Sequence, residues 1–163
     1  MPSKPTIREA TEADLPQLVA LLAQLAPDDP EREGMSSPLP YEYHIVMRQI
    51  LETPGQHIFV LEERGKIVGT AALSVVPNIS HRGTPYAIVE NVVVDQKVRS
   101  KGHGELLMRH AIEEARRAGC YKVSLTSSKR RADAHRFYKR LGFERTHDAF
   151  RLNLGVENQE PRT

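Results

Sequence analysis

Apolar residues recur along this chain with two different periods. Leu15, Leu18, Val19, Leu22, Leu25 and Ala26 are spaced three or four apart, which predicts an amphipathic helix with one buried stripe. Thr11 stands where an N-cap is needed, with Asp14 three residues on in place of the usual Glu of a capping box, and Pro27 ends the run. Tyr43, Val46, Met47, Ile50 and Leu51 predict a second helix over 41–52, closed by Pro54 and Gly55. Leu107, Ala111, Ala115 and Ala118 mark the buried side of a third over about 104–118, ended by Gly119. Ala134, Phe137, Tyr138 and Leu141 share one face of a last helix, stopped by Gly142.

Between these lie strands. A short one is predicted over 5–8. Segments 58–62 and 67–76 flank Glu63-Arg64-Gly65-Lys66 and should form a hairpin. Segment 86–94 is dense in β-branched residues, as expected of a central strand covered on both faces. Further strands are expected over 121–126, 143–145 and 149–154. Segments 27–40 and 77–85 read as loops and 156–163 as a frayed tail. The order β-α-α-β-β-β-α-β-α-β-β predicts an α/β (α+β) fold: one mixed sheet with helices on both faces, in a single domain of 163 residues with its core over 5–154.

Composition narrows the function classes. A net charge of +2 gives no case for binding nucleic acid or an anionic membrane. No apolar run approaches the roughly 20 residues of a membrane span, and residues 1–8 lack the apolar core of a signal peptide. The single cysteine, Cys120, has no partner for a disulfide, so a reducing cytoplasm is expected. The seven histidines show no metal-ligand spacing, and no metal site is expected.

The strongest local signal is the stretch from Val92 to Leu107. A buried strand ends, a basic turn with Gly102 and Gly104 follows, and a helix starts at once. The first N–H groups of a helix have no partner within it, and the helix dipole places partial positive charge there. Glycines allow close backbone approach to phosphate oxygens. Arg99 and Lys101 add charge, so the stretch suits a pyrophosphate; two glycines serving only a tight turn are the alternative. No third glycine completes a dinucleotide fingerprint, and Glu105 stands where a P-loop needs lysine.

Arg99-Ser100-Lys101-Gly102-His103-Gly104 resembles the Arg/Gln-x-x-Gly-x-Gly/Ala signature of the GNAT superfamily of N-acetyltransferases. Ala134-His135-Arg136-Phe137-Tyr138, continuing to Gly142-Phe143, is similar to that family's Ala-x-x-Phe-Tyr-x-x-x-Gly-Phe block. The resemblance implies a sheet whose fourth and fifth strands splay apart and acetyl-CoA as acetyl donor. The backbone of Val92, Val93 and Val94 would hold pantetheine as an added strand. The N–H groups from Arg99 through Ser100, Lys101, Gly102, His103 and Gly104 would hold the pyrophosphate. Ser100 replaces a common glycine and His103 a common aliphatic residue.

Two residues are candidates for catalysis. Tyr138 would be the general acid that protonates the departing thiolate; a core aromatic on an amphipathic helix is the alternative. Glu90, within an otherwise apolar strand, would be the base. Burial there would raise its pKa, while pairing with a basic side chain or lining a solvated cleft is the alternative. Asn91 should alternate onto the opposite side of the strand. Ser128, Lys129, Arg130 and Arg131 fall where the family holds the 3′-phosphate of CoA, or form a solvated basic turn.

The segment 88–94 resembles glucosamine-phosphate N-acetyltransferases, and Asp133 to Tyr138 resembles aminoalkylphosphonate N-acetyltransferases. A small-molecule amine acceptor and a homodimer are therefore expected, with the loops 27–40 and 77–85 framing the acceptor. A protein lysine or N-terminus as acceptor, or a CoA-binding regulatory module without catalysis, are the alternatives.

Overall fold

In the computed structural model, residues 4–27, 38–129 and 131–154 are described. The loop expected over 27–40, the tail and Arg130 therefore lie wholly or mostly outside the described residues. By its internal contacts the chain divides into two compact units, Met1–Leu125 and Thr126–Thr163.

The first unit holds a five-stranded sheet. In spatial and sequence order its strands are β1 (Thr6–Glu9), β2 (Gln56–Glu63), β3 (Lys66–Val76), β4 (Tyr86–Val94) and β5 (Val123–Ser124). The first four are antiparallel neighbours, and β5 runs parallel to β4. The β2–β3 turn consists of Arg64 and Gly65, both with positive φ (52° and 75°), which matches the twist of the flanking strands. Helices α1 (Leu15–Ala23) and α2 (Tyr41–Glu52) precede the hairpin. An irregular turn, α3 (Ser80–Gly83), separates β3 from β4, and α4 (His103–Arg117) connects β4 to β5.

Alternation along the strands divides the core between two layers. On one face Val60, Ile67 and Val93 pack with Leu15, Leu18 and Leu21 of α1 and Met47 of α2. On the other face lie the fully buried Phe59, Leu61 and Leu73, with Leu107 and Met108 of α4. Gly69 is a point of close approach there. A Cβ built on it would sit 2.8 Å from Leu107 Cδ1, so the residue's lack of a side chain lets α4 lie against β3.

An ionic knot fixes the start of the chain. Arg8 donates from Nη1 and Nη2 to the two carboxylate oxygens of Asp14 (2.7 and 3.0 Å) and from Nε to Glu62 Oε2 (3.1 Å). The N–H of Thr11 donates to Asp14 Oδ2 at 2.8 Å, so Asp14 fills the role foreseen for it at the N-terminus of α1, across a short 3-10 turn.

β4 and β5 meet only at one end, where Ala87 faces Val123 and Ile88 faces Ser124. Beyond Ile88 the outer edge of β4 has no strand partner among the described residues, which is the splay the resemblance implied.

Several expectations need correction. The strand expected over 121–126 shrinks to two residues, because the ring of Tyr121 stacks on His81 at 3.9 Å and Lys122 is exposed. Leu21 takes the core position on α1, and Leu22 turns to a cavity instead. β4 is not covered on both faces along its whole length, since Glu90 and Asn91 are exposed.

In the second unit α5 (Ala132–Arg140) is followed by extended chain. Segments 143–145 and 149–154 form no strand. Residues 149–154 do alternate, but a strand needs a neighbour, and Phe150, Leu152 and Leu154 stand 80–97% exposed.

Candidate functional site

Three features of the first unit surround the open stretch of β4. The first is the basic turn. After β4 the chain forms a 3-10 turn over Gln96–Val98, with the Asp95 carboxylate accepting the Lys97 N–H at 3.1 Å. Gln24, at the end of α1, accepts the Gln96 N–H at 3.0 Å and ties the turn to that helix. Ser100 and Gly102 then both adopt left-handed conformations (φ 68° and 79°). Gly102 is the N-cap of α4, and no side chain caps the helix.

The first bond within α4 runs from the Leu106 N–H to the Gly102 carbonyl, so the N–H groups ahead of it lack partners within the helix. Ser100, Lys101 and Arg99 are exposed, and Arg99 Nε donates to the Val94 carbonyl at 3.3 Å. The structure thus brings Arg99, Ser100, Lys101, Gly102, His103 and Gly104 together at one helix terminus, one short 3-10 turn after Val92, Val93 and Val94.

His103 is a packing residue of α4 and not part of the exposed turn. It is 4% exposed, neither ring nitrogen has a hydrogen-bond partner, and Nε2 lies 3.7 Å from Glu63 Oε2. The signal was present in the sequence: His103 stands four residues before Leu107 and eight before Ala111, on the buried stripe of α4.

The second feature is a bulge in β4. Glu90 faces Ala72 and Val93 faces Thr70, so Asn91 and Val92 together oppose the single residue Ala71. Asn91 takes a left-handed conformation (φ 53°), which asparagine tolerates better than most residues. The extra residue breaks the alternation. Asn91 lines a cavity together with Thr70 and Ala72, and Glu90 is the cross-strand neighbour of Ala72 on that same face. The expectation that Asn91 lies on the side opposite Glu90 is therefore wrong. So is the expectation of a buried Glu90: the residue is exposed, because no strand among the described residues continues beside this part of β4.

The third feature is that cavity, of about 210 Å³, between α1, α2 and the sheet. Its walls include Leu18 and Leu22 of α1 and Val46 and Ile50 of α2. The Thr70 hydroxyl on its floor donates to the Phe59 carbonyl at 2.8 Å.

In the second unit, Tyr138 sits on α5 with its ring 5.3 Å from that of Phe137 and 5.9 Å, edge-on, from that of Phe143. Gly142 (φ 97°) turns the chain after α5, and the Phe143 N–H returns to the Tyr138 carbonyl at 3.0 Å. Burial pushes the Tyr138 phenol above its ordinary value, and the charge of Arg131 works against that. The phenol is therefore a neutral donor well past neutral pH. Ser128, Lys129 and Arg131 are exposed at the start of this unit, and the Ser128 carbonyl accepts from the Arg131 N–H at 3.0 Å. Among the described residues no group of three or more His, Cys, Asp or Glu is placed to hold a metal ion, and no helix is long and apolar enough to cross a membrane.

Comparison with known proteins adds to this geometry. The model of the acetyltransferase (GNAT) family matches residues 19–143. A glucosamine 6-phosphate N-acetyltransferase of Trypanosoma brucei brucei is 37% identical over 97 residues, 60% of this chain and 64% of that protein. The chain thus spans slightly under two thirds of that relative's length. An aminoalkylphosphonate N-acetyltransferase of Salmonella typhimurium strain LT2 is 29% identical over 148 residues, 88% of each chain. Among solved structures, a transcriptional regulator from Bacillus halodurans C-125 superimposes with a TM-score of 0.87 at 35% identity, covering 93% of this chain and 100% of that one.

Proposed function

We propose that this chain, which belongs to the acetyltransferase (GNAT) family, is an N-acetyltransferase that moves acetyl from acetyl-CoA to the primary amine of a small metabolite, with both substrates bound together. The observation that supports this most is the pairing of a helix terminus without a side-chain cap, opened by left-handed Ser100 and Gly102, with the edge of β4 that has no strand partner among the described residues, one short turn before it.

A diphosphate needs converging N–H donors and positive charge, which the N–H groups of the 99–104 turn, Arg99 and Lys101 offer. A pantetheine arm carries amides that pair with a strand edge, which the backbone of Val92, Val93 and Val94 offers. Ser128, Arg130 and Arg131 are assigned to the 3′-phosphate of the donor. The core from 5 to 154 works as a single acetyltransferase domain in this reading.

In the reaction, the amine nitrogen attacks the acetyl carbonyl carbon, the C–S bond breaks, and the products are an amide and CoA thiol. The amine arrives as an ammonium ion and must lose a proton. Glu90, exposed to water on the face that bears Asn91, accepts it directly or through a water molecule. The leaving sulfur must gain a proton, and Tyr138 supplies it. Its raised pKa means that the phenol is in its protonated form at working pH.

Free-thiol release with acetyl-CoA and an amine panel tests the reaction. Tyr138→Phe should lower kcat about 100-fold to 10,000-fold while calorimetry shows unchanged acetyl-CoA affinity. An unchanged kcat removes the acid role, and absence of acetyl-CoA binding removes the whole reading.

A CoA-binding regulatory module is the second reading, favoured by the likeness to the Bacillus halodurans regulator. Acetyl-CoA binding without thiol release across the panel would select it. The lone Cys120 supports a reducing, cytoplasmic setting. The alternating, exposed Phe150, Leu152 and Leu154 support a homodimer in which these segments pair.

A further inference from the structure

Resting on the acetyltransferase reading above, we infer that the acceptor amine carries a compact, uncharged apolar group, a phenyl ring or branched alkyl chain, seated in the cavity between α1, α2 and the sheet.

Size is the first argument. The cavity measures about 210 Å³. An apolar protein cavity of about 150 Å³ accepts benzene. The volume therefore suits a six-membered ring with a short linker.

Lining is the second. Leu18, Leu22, Val46, Ile50 and Ala72 present only carbon, and none of the described residues that line the cavity is charged. The Thr70 hydroxyl is already committed to the Phe59 carbonyl. A phosphate or phosphonate placed here would give up part of its hydration, with no cation among the described lining residues to replace it. The relatives named for phosphorylated or phosphonylated amines thus do not set the expectation for this chain.

Polarity at one end is the third argument. The β4 bulge delivers Asn91 to the cavity wall, and Glu90 faces Ala72 on the same side of the sheet while staying exposed. An acceptor with its apolar group among α1 and α2 therefore carries its amine toward an amide and a carboxylate, beside the open stretch of β4. A uniformly apolar cavity would offer no such orientation, and a uniformly polar one would not reject charged acceptors.

The test uses the full chain, acetyl-CoA and free-thiol release. Phenethylamine and isopentylamine are compared with aminoethylphosphonate and glucosamine 6-phosphate. The expected result is a kcat/KM at least about tenfold higher for the apolar amines. Ala72→Leu, which adds three carbons to the floor, should cut kcat/KM for phenethylamine about tenfold or more, with acetyl-CoA affinity unchanged by calorimetry. Leu22→Ala, which widens the wall, should shift preference toward naphthylethylamine.

Faster turnover of the phosphorylated or phosphonylated amines overturns the inference and leaves the acetyltransferase reading standing. So does turnover of apolar amines whose relative rates neither variant changes, as expected if the chain itself fills the cavity. Acetyl-CoA binding with no thiol release from any amine overturns both.

Discussion

Replacing Asp14 by Asn keeps the side chain's shape and removes its charge, which isolates what the ionic knot contributes. Asp14 is 6% exposed and accepts four hydrogen bonds, two from Arg8, one from the Thr11 N–H and a longer one from the Thr11 hydroxyl. The Arg8 bonds hold its carboxyl below the usual carboxylate range, burial opposes them, and the Thr11 N–H adds to the lowering.

Hydrogen bonds to a charged group contribute about 1.5–3 kcal/mol, and the 39% exposure of the Arg8 side chain screens its share. We expect Asp14→Asn to cost about 1.5–2 kcal/mol at neutral pH, or roughly 3–8 °C in Tm for a chain of this size. Arg8 keeps Glu62 as a partner, so no cation is stranded in the variant.

The pH dependence follows from the sign of the shift. A carboxyl lowered in the folded state stabilises fully above its unfolded pKa of about 3.9 and loses that contribution as pH falls through the folded value. The wild type should therefore lose its advantage over Asp14→Asn below about pH 4, while the gap stays constant above about pH 5. Paired urea melts across this range cancel the titration of the other carboxylates. Equal stability at pH 7, or a gap that persists undiminished into acid, would refute the account.

Two further substitutions probe the fold that positions the site. Gly102→Ala should cost about 1–2 kcal/mol from its left-handed backbone alone, since no atom lies within 4 Å of the added methyl, and should weaken acetyl-CoA binding in calorimetry. Unchanged Tm and affinity would separate this turn from the donor site. Leu107→Ala should cost about 2–5 kcal/mol, because the side chain is fully buried. Adding Gly69→Ala to it should cost less than Gly69→Ala alone, because the atom 2.8 Å from the new Cβ is then gone; strict additivity in urea melts would refute the contact.

Local features of the chain were legible where the physics is local. The bounds of α2 match its reading because Pro40 and Thr53-Pro54 punctuate both ends, and the β2–β3 hairpin follows from Arg64-Gly65. The turn from Arg99 to Gly104 was equally readable, since glycine and charge declare it. The bulge was not. It depends on which β3 residue faces Asn91, a register property that no single segment encodes. Glu90 was misjudged for a related reason, as its exposure follows from β5 ending after Ser124. Segment 149–154 has a strand's alternation but no neighbour to pair with among the described residues.

The edge of β4 beyond Ile88, without a strand partner among the described residues, has a cost for handling the protein. Its valines favour strand pairing, and a second copy can pair with the open backbone as a guest molecule can. Glu90, at the head of those valines, acts as a gatekeeper, since stacking in register would bring like carboxylates together. Purified protein stored without its donor should therefore cloud sooner than protein kept saturated, and neutralising Glu90 should hasten the clouding even where turnover is irrelevant.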